Sequence, residues 1–463
     1  MYCSAFRRLA SKTQVFNSQI DDNLRTRLTH TLEVSQIART ISSELGLDEE
    51  LTEAIALGHD VGHTPFGHVG ERTLNTYSKG DDKRLISKIK IPAAQHGFKH
   101  NLQSVRVLVE YSEKVKFSNY MLFGVREHSK LFWNEKKDVA FYDIYEPYCS
   151  YKKDGKLIPS WSFEAFVVRW ADEVAQRHHD IEDAFLQKII PPNDILEKVN
   201  PLYELCMEKL DSVDKRNNIK RKFNRLKSEK KKIQRKNLTA IQNNFAHALS
   251  SFLVDAYVSI LLKSFSDALA EFSEKNNIEN ESQFHDKYLT IDIDNIRELM
   301  KLENTSIKKI DNTLGNDLKN SVLDSYEVQR MDGKGRYIIR QLVNAYLKNP
   351  QQLPNEYINR FIKTEIKRVF EREENEYQNL IAKIREALGK KSKKPDNILD
   401  WKDYECREAL RIIHGSDRHE SLPFIRNNND IKSKVYSALL RVIFDYIAGM
   451  TDSYASRQHN ELY

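Results

Sequence analysis

Apolar positions recur along this chain at helical rather than strand spacing. Leu24, Leu28, Leu32, Ile37, Ile41 and Leu45 stand four or five apart, which predicts an amphipathic helix ended by Gly46. Asp48 is placed to cap the next helix, with Glu49 and Glu50 near its positive end. That helix runs through Leu51 and Ile55 and delivers His59 and Asp60 at its C-terminal end. Asn101 to Val115 predicts a further helix. From Phe163, the positions Val167, Ala171, Val174, Ile181 and Phe185 make a core face, closed off by Pro191 and Pro192. Asp172, Gln176, His179, Asp180 and Asp183 gather on another face of the same helix. From Asn193 to Asn320 the pattern stays helical but turns rich in Lys, Asn and Glu, as in an inserted arm with a return helix over Ala246 to Phe272. The last third is helical again. Trp133 to Trp161, rich in Tyr, Pro and Lys, reads as irregular loop. Asp332 to Gly335 reads as a turn and lacks the spacing of a phosphate-binding loop.

Composition supports an all-α chain. The 30% charged and 40% hydrophobic residues indicate a globular rather than disordered chain, and only 15 Gly and 11 Pro in 463 residues favour an all-α fold over a β-rich one. No apolar run is read as approaching the roughly 18 residues needed to cross a bilayer, and MYCSAFRRLASK has no signal-like core, so no membrane partner is expected. Cys3, Cys149, Cys206 and Cys406 lie far apart, which disfavours a zinc-thiolate site and suits a reducing, cytoplasmic setting. The net charge of +6 is unevenly spread. Lys215 to Lys236 is over half Lys and Arg, with Glu229 its single acid. Two readings stay open for that stretch, a solvated helical arm or a contact for nucleic acid or nucleotide.

Candidate chemistry concentrates in Leu57 to Arg72, LGHDVGHTPFGHVGER. The adjacent donors His59 and Asp60 are followed by Gly62, Pro65, Gly67 and Gly70, which stop the helix and fold the chain back. Two His with two Asp would suit Mn²⁺, Fe²⁺, Ni²⁺ or Mg²⁺ better than a closed structural zinc site. Taken singly, a His on a helix is more often packed or solvated than ligating.

The order His30, His59-Asp60, Asp172 resembles the H…HD…D signature of HD-superfamily metal phosphohydrolases. Within that superfamily SAFRRLASKTQVF, LRTRLTHTLEVSQIAR, ALGHDVGHTPFGHVGE, HGFKHNLQSVRVL and ADEVAQRHHDIEDA resemble the deoxynucleoside triphosphate triphosphohydrolases, the dGTPase-like family. MDGKGRYIIRQLVNAYLKNPQQLP and DYIAGMTDSYA are similar to its C-terminal segments. The resemblance covers most of residues 4–190 and 326–455 and leaves the charged arm unplaced. It implies an HD-type helical core over residues 1–192, a charged helical insertion over 193–325 and a C-terminal helical region, 326–463, completing the core.

The same resemblance implies the site. His30, His59, Asp60 and Asp172 would hold one divalent metal. Arg27 would contact the triphosphate. His63, His68, Glu71 and His100 would surround the phosphates, with His68 and Glu71 as the water-activating pair. Gln14 would approach the sugar or base and Asp180 would take the 3′-hydroxyl, with Gln176 standing where many members carry Tyr. Water would attack the α-phosphorus of a dNTP to release a deoxynucleoside and inorganic triphosphate. A homo-tetramer or hexamer, and single-stranded DNA or an activating nucleotide as effector, are family expectations.

On physical grounds Glu71, three residues beyond His68, could orient that imidazole if the chain turns helical after Gly67. His178 and His179 read as supporting or surface groups rather than ligands. The alternatives are another HD-type nucleotidase or phosphodiesterase, or a nucleotide- or nucleic-acid-sensing protein in which the basic arm dominates.

Overall fold

A computed structural model describes residues 3–13, 25–80, 97–112, 115–129, 145–153, 155–233, 239–288, 290–302, 305–318, 322, 324–389, 398–415 and 422–463. Gln14 lies outside the described residues. Within them the chain is all-α apart from one antiparallel hairpin, Ser150–Lys153 with Lys156–Pro159. That hairpin corrects the reading of Trp133 to Trp161 as wholly irregular. Tyr151 pairs with Ile158 and Lys152 with Leu157, so a short ladder forms around Gly155 where no apolar periodicity announced it.

The described residues fall into two compact units. The first comprises 1–61, 104–130 and 145–331, so the charged insertion belongs with the segments that carry His30, His59, Asp60 and Asp172. The second comprises 62–103, 131–144 and 332–463.

In the first unit the Arg27–Glu44 helix begins where Thr26 accepts from the Thr29 N–H, three residues later than the apolar pattern suggested. It buries Val34, Ile37, Ala38 and Ile41 against the Glu49–Gly58 and Phe163–Leu186 helices. Leu32, expected on the core face, is 48% exposed. The buried stripe instead runs through the polar residues His30 and Thr31, which helical spacing places beside Val34 and Ile37. Asp48 caps as expected, its carboxylate accepting from Glu50 and Leu51 N–H at 2.9 Å each. The Phe163–Leu186 helix buries every predicted core residue. It is braced from outside: Arg177 Nε donates to Asp311 Oδ1 at 2.9 Å and Trp170 Nε1 donates to the Met300 carbonyl at 3.2 Å.

The basic part of the insertion forms a helical hairpin. Ile219, Phe223 and Leu226, at spacings of four and three, make the one apolar stripe of the Val213–Ile233 helix, which packs on Thr239–Lys275. The latter is long and apolar enough, by length and composition, to cross a membrane, which corrects the expectation that no such run exists. Inside the unit it packs against the Phe163–Leu186, Pro192–Lys209 and Val213–Ile233 helices, and Leu249, Phe252, Leu253, Ala256 and Tyr257 are buried.

In the second unit the core joins Leu74, Tyr77 and Phe98 to Ile339, Leu342, Val343 and the Val442–Ile447 run. Asp332 to Gly335 is not a turn; it lies inside the Tyr326–Lys348 helix. Gly335 is there for space, since a Cβ would come within 2.8 Å of the Phe66 side chain.

Candidate metal centre and histidine cluster

The local fold around Leu57 to Arg72 follows from its glycines. The Glu49–Gly58 helix ends at the histidine, and a new helix, Gly67–Ser78, starts from Phe66 in the left-handed region. Asp452 Oδ1 accepts from the Phe66 N–H at 2.9 Å, holding that conformation. At Gly70 a Cβ would stand 2.3 Å from the Pro65 carbonyl oxygen, so the fold-back closes only over glycine.

Four of the predicted ligands meet in the first unit. His30 Nε2 lies 2.9 Å from Asp172 Oδ1, and His59 Nε2 lies 3.5 Å from Asp60 Oδ1 and 3.8 Å from Asp172 Oδ1. Donors bonded at about 2.1 Å to one cation are separated by about 3.0–3.4 Å, close to these spacings; His30, His59 and Asp60 bring ligating atoms within 4.8 Å of one another, and Asp172 adjoins them through His30 and His59. His59 Nδ1 donates to the Ala56 carbonyl at 2.6 Å, which leaves Nε2 bare, and that buried nitrogen has no hydrogen-bond partner among the described residues. Ser104 Oγ donates to the His59 carbonyl at 2.7 Å and fixes the backbone beneath it. A buried, unprotonated imidazole nitrogen facing two carboxylates is the donor chemistry a divalent cation needs. Burial pushes the Asp172 carboxyl up, but the close contacts with His30, His59 and His128 outweigh it and hold the group below its usual range.

Arg27 is buried here as well. Its Nη1 donates to Asp60 Oδ2 at 2.7 Å, so it orients the carboxylate whose other oxygen faces His59. Asp180 lies on the same helix as Asp172, its Oδ1 buried without a hydrogen-bond partner among the described residues. Burial raises its carboxyl to about 7; Arg177 opposes the rise, and Asp183, Glu173 and Asp172 add to it. Gln176 is half-buried on that helix.

His63, His68, Glu71 and His100 meet in the second unit, with ligating atoms within 4.8 Å of one another. His63 stacks on His100 with ring centroids 4.0 Å apart. Here one expectation changes. Glu71 Oε2 accepts from His100 Nδ1 at 2.5 Å, whereas His68 Nδ1 is 3.8 Å away, beyond hydrogen-bond reach. Lys99 Nζ is 3.2 Å from Glu71 Oε1. Burial pushes the Glu71 carboxyl up, but His100, His68 and Lys99 outweigh it and hold it well below the ordinary carboxylate range. His68, 49% exposed, stays the most accessible ring of the four.

Residue patterns had not pointed to three neighbours. His128, at the end of Asn119–Glu127, holds its ring 5.0 Å from that of His59. Glu33 meets both His178 and His179, one helical turn from His30. Lys99 was hidden beside His100. Only the one-turn spacing of Glu33 from His30 was visible in the sequence.

Residues 27–177 match the HD domain, and 305–373 with 423–461 match the phosphohydrolase-associated domain. The chain is 30% identical over 367 residues to a deoxyguanosinetriphosphate triphosphohydrolase-like protein of Geobacter sulfurreducens, covering 77% of each. It is 31% identical over 376 residues to one from Neorickettsia sennetsu, covering 78% of this chain and 80% of that protein. Over 220 residues it is 40% identical to one from Wolinella succinogenes, covering 46% of this chain and 53% of the relative.

Proposed function

The chain belongs to the deoxyguanosinetriphosphate triphosphohydrolase-like family of HD-domain phosphohydrolases, and from there we propose that it hydrolyses deoxynucleoside triphosphates to the deoxynucleoside and inorganic triphosphate. The observation that carries the reading is the bare, buried His59 Nε2 facing Asp60 and Asp172, with His30 against the same Asp172 oxygen. These four residues would hold one divalent cation, whose chemistry there is Lewis-acid polarisation of a phosphoryl oxygen. Arg27 keeps Asp60 aimed and lowers the cost of burying its charge.

In the reaction a water oxygen joins the α-phosphorus, the bond from that phosphorus to the 5′ oxygen breaks, and the 5′ oxygen takes up a proton. His68 is the group we assign to proton transfer, because it is the accessible imidazole beside an ionised, buried carboxylate. Glu71, locked to His100 and Lys99, keeps negative charge next to that ring rather than gripping it. His63 and His100 present a stacked pair of donors suited to phosphate oxygens. We assign the 3′-hydroxyl to the Asp180 carboxyl, which would find in it the hydrogen bond that Oδ1 lacks among the described residues.

Incubating the purified protein with each of the four dNTPs and Mn²⁺ or Mg²⁺ tests the reading. Deoxynucleoside with intact triphosphate is the expected product pair. Orthophosphate, or a nucleoside monophosphate, would replace it with a nucleotidase or phosphodiesterase activity.

A further inference from the structure

We infer that Glu33 and His179 are positioning residues for the cation: they fix the tautomer of His30, so that its Nε2 is the bare nitrogen offered to the metal. The inference rests on the metal reading above and goes beyond it to two residues outside the ligand set.

The geometry is a four-group chain. His179 is buried, and its Nε2 meets Glu33 Oε2 in a short contact. On its other side His179 Nδ1 lies 3.4 Å from His30 Nδ1, the rings 5.4 Å apart and inclined at 66°. His30 Nε2 then lies 2.9 Å from Asp172 Oδ1. Two helices supply the chain at matched spacings. Glu33 is one turn after His30 in Arg27–Glu44, and His179 is two turns after Asp172 in Phe163–Leu186. Glu33 is held in place by His178 Nε2 at 3.1 Å, with Arg25 Nε 3.9 Å from its other oxygen.

Proton counting does the rest. A carboxylate only accepts, so His179 Nε2 must carry a proton to bond Glu33. A neutral imidazole has one N–H, so His179 Nδ1 is bare and accepts. The proton between the two rings therefore sits on His30 Nδ1, and His30 Nε2 has none. A bare nitrogen 2.9 Å from a carboxylate oxygen is repulsive until a cation lies between them. Two neutral rings have two protons for three links, and a metal at the His30–Asp172 edge fills the third. In the opposite tautomer, His30 Nε2–H would occupy the metal's place. Metal-bound histidines commonly depend on such a partner at the second nitrogen, and removing it typically costs 10–100-fold in affinity.

The test uses the full chain and Mn²⁺ alone, with free Mn²⁺ counted by electron paramagnetic resonance. His179→Phe keeps the ring but removes both nitrogens, and should weaken Mn²⁺ binding about 10–100-fold. His179→Gln restores an acceptor toward His30 and a donor toward Glu33, and should recover binding to within about threefold of the parent. Parent-like affinity in His179→Phe, or a Gln variant as weak as the Phe variant, overturns the inference. Should Phe abolish the cooperative melting transition, the Gln variant and the parent protein decide. With ¹⁵N-histidine in the Mg²⁺-loaded parent, His30 should show a protonated Nδ1 and a bare Nε2. A proton on Nε2 there overturns the relay. A parent protein that binds no Mn²⁺ at all removes the metal reading itself, an outcome distinct from loss of the relay alone.

Discussion

Asp60 and His68 sit eight positions apart and should fail in different ways. Asp60 lies among the proposed metal donors and is paired with Arg27, so Asp60→Ala should lose both bound Mn²⁺ and turnover. It also strands a buried guanidinium, a change that costs about 3–5 kcal/mol where measured. His68→Ala should keep its metal content near one per chain while kcat falls about 10²–10⁴-fold, the range for loss of a general acid or base. Metal analysis on the two purified variants checks the division, and metal loss in His68→Ala would erase it. Asp180 gives a pH test. Its folded carboxyl is raised to about 7, so the folded state binds this proton more tightly than the unfolded chain does. Stability contributed by that proton is present below the unfolded value near 4 and is lost as pH rises toward 7. Asp180→Asn removes the penalty, so its Tm gain over the parent should grow by a few degrees between pH 5 and pH 8. A gain that does not change with pH would mean a well-solvated carboxyl.

Among the elements, the basic Val213–Ile233 helix separates packing from charge cleanly. Phe223 is buried between Tyr203 and Phe252, with ring centroids 4.2 and 5.0 Å away. Phe223→Ala should cost about 3–5 kcal/mol, visible in urea unfolding. Replacing exposed Lys220, Arg221 and Arg225 by Gln should leave the unfolding midpoint within about 0.5 kcal/mol of the parent. If that helix is a polyanion contact, the same triple variant also flattens the salt dependence of single-stranded DNA binding. Elements with a local cause were legible in the sequence. Asp48 caps its helix through its own side chain, Pro191 and Pro192 follow the end of the Phe163–Leu186 helix, and Gly67 and Gly70 permit the fold-back at the site. What stayed hidden depended on partners far along the chain. Leu32 lost the core face to His30 and Thr31 because the facing helix carries Asp172 and His179 there, 140 and 147 positions away. Gly333 and Gly335 suggest a turn by composition, yet a helix runs through both; Gly335 leaves room for Phe66, a contact 269 positions away in sequence, while Gly333 faces open space. Glu71 was legible as a charge near His68, but its true grip on His100 depends on a helix 29 positions later.

For the whole molecule, metal binding should appear as stability confined to the segments that hold the donors. The proposed ligands come from the Arg27–Glu44 helix, the end of Glu49–Gly58 with the turn after it, and the Phe163–Leu186 helix. No short loop gathers them; three stretches of chain as far apart as residues 30 and 172 must be folded together before the site exists. The unfolded chain then has little affinity for the ion, and binding must stabilise the native state by mass action. At 100 times the dissociation constant that contribution is about 2.7 kcal/mol. In units of this size it corresponds to roughly 5–10 °C in Tm, reversed by chelation and restored by Mn²⁺. Hydrogen exchange would locate the effect. Protection should fall on chelation over residues 27–44, 57–61 and 163–183, whereas Ile338 to Tyr346 and Val435 to Ile447, buried in the second unit's own core, should keep theirs. The charged hairpin offers an internal control, because Ile219, Phe223 and Leu226 pack on Thr239–Lys275 with no donor among them. A uniform loss of protection across all of these segments would mean that the ion supports the fold at large rather than the His30, His59, Asp60 and Asp172 site.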